Sequence, residues 1–181
     1  MMKIVLASNN RGKLVELQAM FAPLGVELIR QGDLFEGEAP EPYGTFVENA
    51  LSKARFAAEK TGLPAIADDA GMCVDHFGGL PGVDTAYYCT QFGYEKSDDN
   101  NVRALLEQMQ GVADRRAALV STLVALRHAD DPEPLVATGR APGLLRWMAA
   151  VSIWRLAATS AGSPDPLRTS ITSPGRLTGL W

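Results

Sequence analysis

Histidine and cysteine are scarce in this 181-residue chain: His76, His128, Cys73 and Cys89 are the full set. With no CxxC or Cys/His grouping, a zinc site is nearly excluded, and any metal must be held by oxygens. Two cysteines in a chain this size are expected as reduced thiols, which fits a reducing compartment and hence the cytoplasm. Long apolar runs are missing too. No stretch approaches the roughly 20 residues that span a bilayer, and the opening MMKIVLASNN has too short an apolar run for a secretory leader. A membrane partner is therefore not expected. The net charge of −4 comes without any basic run, which argues against a polynucleotide partner. Apolar residues at 46% and charged residues at 21% are ordinary for a folded chain, so the bulk of it should bury a core.

A sharper deficit marks the end of the chain. Residues 141–181 hold no lysine, glutamate or histidine, only four arginines and the single acid Asp165. The expected division is a domain over residues 1–140 and an aberrant, poorly ordered tail over residues 141–181, relieved by a short apolar helix over residues 144–158. The run GSPDPLRTSITSPGRLTG has neither period, 2 or 3.6, that specifies a packed element.

Strand and helix signals alternate before that boundary. Residues 3–7 predict a strand, residues 8–12 a polar turn, and residues 13–21 an amphipathic helix stopped by Pro23 and Gly25. A second strand over residues 26–30 leads into a loop rich in Gly, Pro and Glu. Thr45-Phe46-Val47-Glu48 then forms a capping box for a long helix ending near Gly62. Residues 65–69 and 72–75 are two strand candidates, followed by the turn sequence FGGLPG, a helix over residues 98–109, and strands over residues 117–127 and 135–140. The pattern is that of an α/β fold.

Three features could carry chemistry. The first is Ser8, Asn9, Asn10, Arg11, Gly12 and Lys13, between a strand end and a helix start, where unpaired N–H groups favour anions. It is not a Walker A loop, because Ala7 replaces the first glycine and Leu14 the Ser or Thr after the lysine. An ordinary polar turn would look the same. On the long helix, positions 47, 50, 51, 54 and 58 face a core, and Asn49 and Lys53 lie one above the other at the edge of that stripe. Lys53 is thus either a phosphate-binding lysine or one snorkelling over the core. The third feature is Asp68-Asp69 at the end of an apolar strand, where α/β sheets bind ligands and acids can hold a hard cation. Neighbouring strand residues point to opposite faces, so one acid is expected to be chemical and the other supportive. Glu36, Glu38 or Glu41 could complete an oxygen site, although acidic loops are commonly just solvated.

The segments VLASNNRGKLVEL, TFVENALSKA, PAIADDAG and GGLPGV, in that order, resemble the inosine/xanthosine triphosphate pyrophosphatase family over residues 3–140. The resemblance implies two lobes around a central cleft, built on a long mixed β-sheet with flanking helices. It also implies a homodimer, Mg2+ dependence, and hydrolysis of non-standard purine nucleoside triphosphates (dITP, ITP, XTP) to the monophosphate and pyrophosphate. By the same resemblance Ser8 to Lys13 cradle phosphate, with Asn49 and Ala70 in the substrate-binding set. Lys53 assists catalysis, Asp69 is the base, and Asp69, Glu41 and Asp68 are the metal set.

The resemblance ends near Arg140. The family's Gly-Phe-Gly-Tyr-Asp-Pro, its following lysine and its Ser-His-Arg, which build the base pocket, have no counterpart. Ala70 stands in place of a serine, and Thr85-Ala86-Tyr87 in place of Ser-Ala-Arg. A frame change in the gene or a divergent tail would each explain this. The competing function is therefore an inactive or weakly active nucleotide-binding member. A phosphatase with an aspartate nucleophile is disfavoured because the Asp-x-Asp pattern is lacking.

Overall fold

The computed structural model describes residues 1–145. Strand β1 (Met2–Leu6) leads through a polar turn into helix α1 (Arg11–Phe21), and β2 (Val26–Arg30) returns parallel to β1. The helix is fastened to the strand it precedes. Gln18 donates its amide N–H to the Val26 carbonyl at 3.0 Å and accepts from the Leu28 N–H at 2.7 Å. Leu14, Leu17 and Phe21 close over Leu6, Leu28 and Ile66.

Helix α2 (Phe46–Thr61) opens at the expected N-cap, Thr45, with Glu48 reaching back to its hydroxyl. Thr45 Oγ1 accepts from the Glu48 N–H at 3.4 Å and donates to Glu48 Oε2 at 2.5 Å. Gly62, left-handed at φ 67°, ends the helix, a conformation that costs a Cβ-bearing residue more. The buried stripe is alanine: Ala50, Ala54, Ala57 and Ala58 meet Ala65 and Ala67 on the sheet, so small side chains let the two backbones approach closely. Val47, expected in this stripe, is exposed instead. Thr45→Ala should cost about 1 kcal/mol, read as a fall of roughly 2–4 °C in Tm.

The two strand candidates after α2 are one strand, β3 (Ala65–Val74), paired antiparallel with β4 (Arg116–Leu126) along its whole length, from Ala65 opposite Leu126 to Val74 opposite Ala117. Gly71 does not end the strand. A Cβ there would lie 2.1 Å from the Gly82 carbonyl oxygen, so the glycine serves close backbone approach in mid-strand. Strand β5 (Leu135–Leu144) pairs antiparallel with β4 and runs four residues past the expected limit at residue 140. Pro142 is compatible with this because β5 is an edge strand among the described residues, where a missing N–H is tolerated. The expected helix over residues 144–158 has its first residue in β5, and its remainder beyond residue 145, like most of the expected poorly ordered tail, lies outside the described residues.

The sheet order is β2-β1-β3-β4-β5, with parallel pairing around β1 and antiparallel pairing beyond β3. This is the mixed sheet with flanking helices that the sequence implies. The long strands β3 and β4 serve two cores. Near one end α1 and α2 cover the two sheet faces. Near the other, helix α3 (Asp98–Gln108) and the 3₁₀ run Gly82–Phe92 pack on Met72, Val74 and Ala117.

Candidate active site

A cavity of about 290 Å³ lies between these two cores, lined from one side by the β1–α1 turn and β3 and from the other by residues 83–98. Alternation along β3 sends its two aspartates to different helices. Ile66 packs toward α1 and Ala65 and Ala67 toward α2, so Asp68 follows Ile66 and Asp69 follows Ala67. Each acid meets a lysine from the helix on its own side. Lys13 Nζ is 2.8 Å from Asp68 Oδ1, and Lys53 Nζ is 3.0 Å from Asp69 Oδ1. Both aspartates nevertheless line the cavity.

Lys53 is therefore not a lysine snorkelling to solvent. Its ammonium also meets Glu41 Oε2 at 3.1 Å, and so joins the acidic loop to the middle of β3. That contact distinguishes the three loop glutamates: Glu41 shares a cation with Asp69, Glu38 accepts from Asn9 Nδ2 at 3.1 Å, and Glu36 does not line the cavity. Burial by itself would pull the Lys53 ammonium down, but the facing carboxylates of Asp69 and Glu41 outweigh it and hold the group above its ordinary value. Burial pushes the Asp69 carboxyl above its ordinary value, and the opposing charge of Lys53 offsets this only in part.

Asn49, expected from the resemblance among the substrate-binding residues, is held by backbone and carboxylate partners. It is buried and does not line the cavity. Its side chain clamps Tyr43 at both backbone groups, accepting from the N–H at 3.1 Å and donating to the carbonyl at 3.0 Å, and it approaches Asp69 Oδ2 at 3.4 Å. It thus positions the loop that carries Glu41 together with the aspartate. In the β1–α1 turn, Ser8, Asn9, Asn10 and Lys13 line the cavity, whereas Arg11 and Gly12 do not. The Gly12 and Lys13 N–H groups donate to Asn10 Oδ1 at 2.8 and 3.2 Å. The N-cap thus uses two of the donors at this helix start, and the side chains of the turn line the cavity beside them. Ala70 presents a methyl to the same space.

Thr85, Ala86 and Tyr87, which stand in place of the family's Ser-Ala-Arg, complete the wall together with Lys96 and Asp98, which the sequence did not single out. Thr85 Oγ1 accepts from the Met72 N–H at 2.8 Å and donates to the Gly82 carbonyl at 2.6 Å, which ties the glycine-rich turn to β3. Tyr87, Lys96 and Asp98 line the cavity beyond it. A lysine in a polar loop carries no local signal, and only the packing of residues 82–98 against β3 brings Lys96 here.

The lining carries Lys13, Lys53 and Lys96 against Glu38, Glu41, Asp68, Asp69 and Asp98, an excess of acid that a polyanion could enter only with added cations. Glu41 and Asp69 already converge on one positive charge, and the buried Asp68 Oδ1 accepts no hydrogen bond, its contact with Lys13 being an ion pair of poor hydrogen-bond direction. This oxygen-only set suits a hard divalent ion. Among the described residues no three His, Cys, Asp or Glu side chains group as ligands.

Residues 4–150 match the family model described as the Ham1 family. A dITP/XTP pyrophosphatase of Delftia acidovorans is 90% identical over 142 residues, covering 78% of this chain and 71% of that protein. One from Paracidovorax citrulli is 78% identical over the same length, with the same shares covered. Among solved structures, a HAM1 protein from Coxiella burnetii superposes with a TM-score of 0.75 at 35% identity, over 80% of this chain and 73% of that one. The Ham1 protein of Staphylococcus aureus gives 0.70 at 33% identity, over 80% and 72%.

Proposed function

Because the chain belongs to the Ham1 family, we propose that it hydrolyses non-standard purine nucleoside triphosphates, dITP, ITP and XTP, to the monophosphate and pyrophosphate. It does so with Mg2+, in the cytoplasm and as a homodimer. The activity rests on the family and on relatives named dITP/XTP pyrophosphatase at up to 90% identity. The unpaired thiols of Cys73 and Cys89 support a reducing compartment. Among the described residues no helix is long and apolar enough to cross a membrane. The homodimer is carried over from the family resemblance.

One observation carries the assignment of roles: Lys53 joins Asp69 to Glu41 on the wall of a cavity that also holds Lys13 and the Ser8–Asn10 side chains. A magnesium ion held by Asp69 and Glu41, with Asp68 beside them, would offset phosphate charge and polarise the α-phosphoryl group. Asp69 takes the proton of a water as its oxygen attacks the α-phosphorus, and the bond to the α,β-bridging oxygen breaks to release pyrophosphate. Lys53 holds Asp69 Oδ1 in place and Asn49 steadies the other oxygen. Lys13, Ser8, Asn9 and Asn10 meet the phosphates with side-chain donors.

The test supplies dITP, XTP and ATP with Mg2+ and identifies the product. Pyrophosphate with dITP and XTP is the expected result, and orthophosphate would contradict the reading. The second reading, a member that binds nucleotide without turning it over, is favoured by one fact: the match with the Delftia acidovorans protein spans 78% of this chain, and the base-pocket motifs expected after residue 140 have no counterpart in the sequence. Tight binding of dITP without product would establish it.

A further inference from the structure

Two of the three cavity lysines are already opposed by carboxylates, Lys13 by Asp68 and Lys53 by Asp69 and Glu41. The third, Lys96, is exposed and lies in the segment leading into α3, with Nζ 3.9 Å from the centroid of the Tyr87 ring. An aromatic face orients an ammonium without cancelling its charge, and at an exposed position it holds it weakly, so the lysine can turn to a stronger anion at little cost. The shelf itself is firmly built. Buried Asn101 accepts from the Cys89 N–H at 2.8 Å and donates to the Ala86 carbonyl at 3.1 Å, bracketing Tyr87, while Thr85 anchors the same run to β3.

We infer that Lys96, shelved on Tyr87, binds the terminal phosphoryls of the substrate, the part that leaves as pyrophosphate. This rests on the pyrophosphatase reading of the site. The reacting α-phosphorus belongs beside Asp69, on the β3 wall, where Lys13 and Lys53 also stand. The opposite wall, formed by residues 83–98, is what the remainder of an extended triphosphate reaches. A triphosphate carries about four negative charges, most of them on the two phosphoryls that depart, and a neutral purine such as hypoxanthine offers an ammonium far less.

The experiment measures binding of inorganic pyrophosphate and, separately, of deoxyinosine monophosphate to the full chain with Mg2+ by calorimetry. Lys96→Met keeps the length of the side chain and removes its charge, at a surface position where folding should not suffer. Pyrophosphate affinity should fall about tenfold or more, the worth of one charge-assisted hydrogen bond, while monophosphate affinity stays unchanged. Lys96→Arg should recover most of the loss, and in turnover Lys96→Met should raise KM for dITP with kcat nearly constant. Unchanged pyrophosphate affinity, or an equal loss for both ligands, overturns the assignment of Lys96. A wild-type chain that binds neither ligand overturns the functional reading itself, and the assignment of Lys96 falls with it.

Discussion

Asp69→Asn should lower kcat for dITP by about a thousandfold or more while substrate affinity changes little. The substitution keeps the size of the side chain and its reach toward Asn49, but removes the group that accepts the water's proton, and a positioned general base is commonly worth about a hundred- to ten-thousandfold. Steady-state kinetics paired with calorimetric binding of dITP checks it, and a variant at near wild-type rate would sink the role given to Asp69. The pH profile offers a second reading of the same group. Burial raises the Asp69 carboxyl above its ordinary value, and a base acts only when deprotonated. Activity should therefore fall, as pH is lowered, at a higher pH than an ordinary carboxylate would dictate. A bound divalent cation favours the charged form, so raising the Mg2+ concentration should move this acid limb downward.

Gly71→Ala should be the most damaging single methyl that can be added to the cleft. Its Cβ would lie 2.1 Å from the Gly82 carbonyl oxygen and 2.6 Å from Thr85 Oγ1, and neither neighbour is a loose side-chain end. Thr85 Oγ1 is the atom that accepts from Met72 and donates to Gly82, so the added methyl must displace the 3₁₀ run Gly82–Phe92 and break those bonds. Overpacking of this kind costs about 3 kcal/mol, seen as a loss of roughly 6–12 °C in Tm for a chain this long. Because the displaced run carries Tyr87 and forms one cavity wall, activity should drop even at temperatures where the variant stays folded. A melting temperature within about 2 °C of wild type would show that the contact relaxes freely.

How much was legible beforehand varies with the range of the interaction involved. The helix start at Thr45 and Glu48 and the strand–turn–helix around Ser8 to Lys13 could be recognised because their determinants lie within a few residues of one another. Lys53 and the Asp68-Asp69 pair stood out locally, one at the edge of an apolar helix stripe and the other after an apolar run, and the family resemblance chose Asp69 of the two. The misjudged places are those where a distant neighbour overrides a local signal. Ala70-Gly71 looks like the end of a strand until ten paired positions along β4 hold it extended. Asn49 is another case, since its place at the stripe edge was legible but its clamp on the Tyr43 backbone was not.

From the amino-acid order followed the α/β class and the expectation of oxygen ligands for any metal, since composition and short-range periodicity carry that information, whereas the choice of Asp69 over Asp68 and of Lys53 as a phosphate lysine came from the family resemblance. Tertiary structure alone decided which lysine faces which aspartate, that Lys53 bridges Asp69 and Glu41, and that Lys96 reaches the cavity at all. Each of these pairings joins residues 12 to 80 or more positions apart in the chain, and separations of that length are set by sheet order and helix packing rather than by anything written locally.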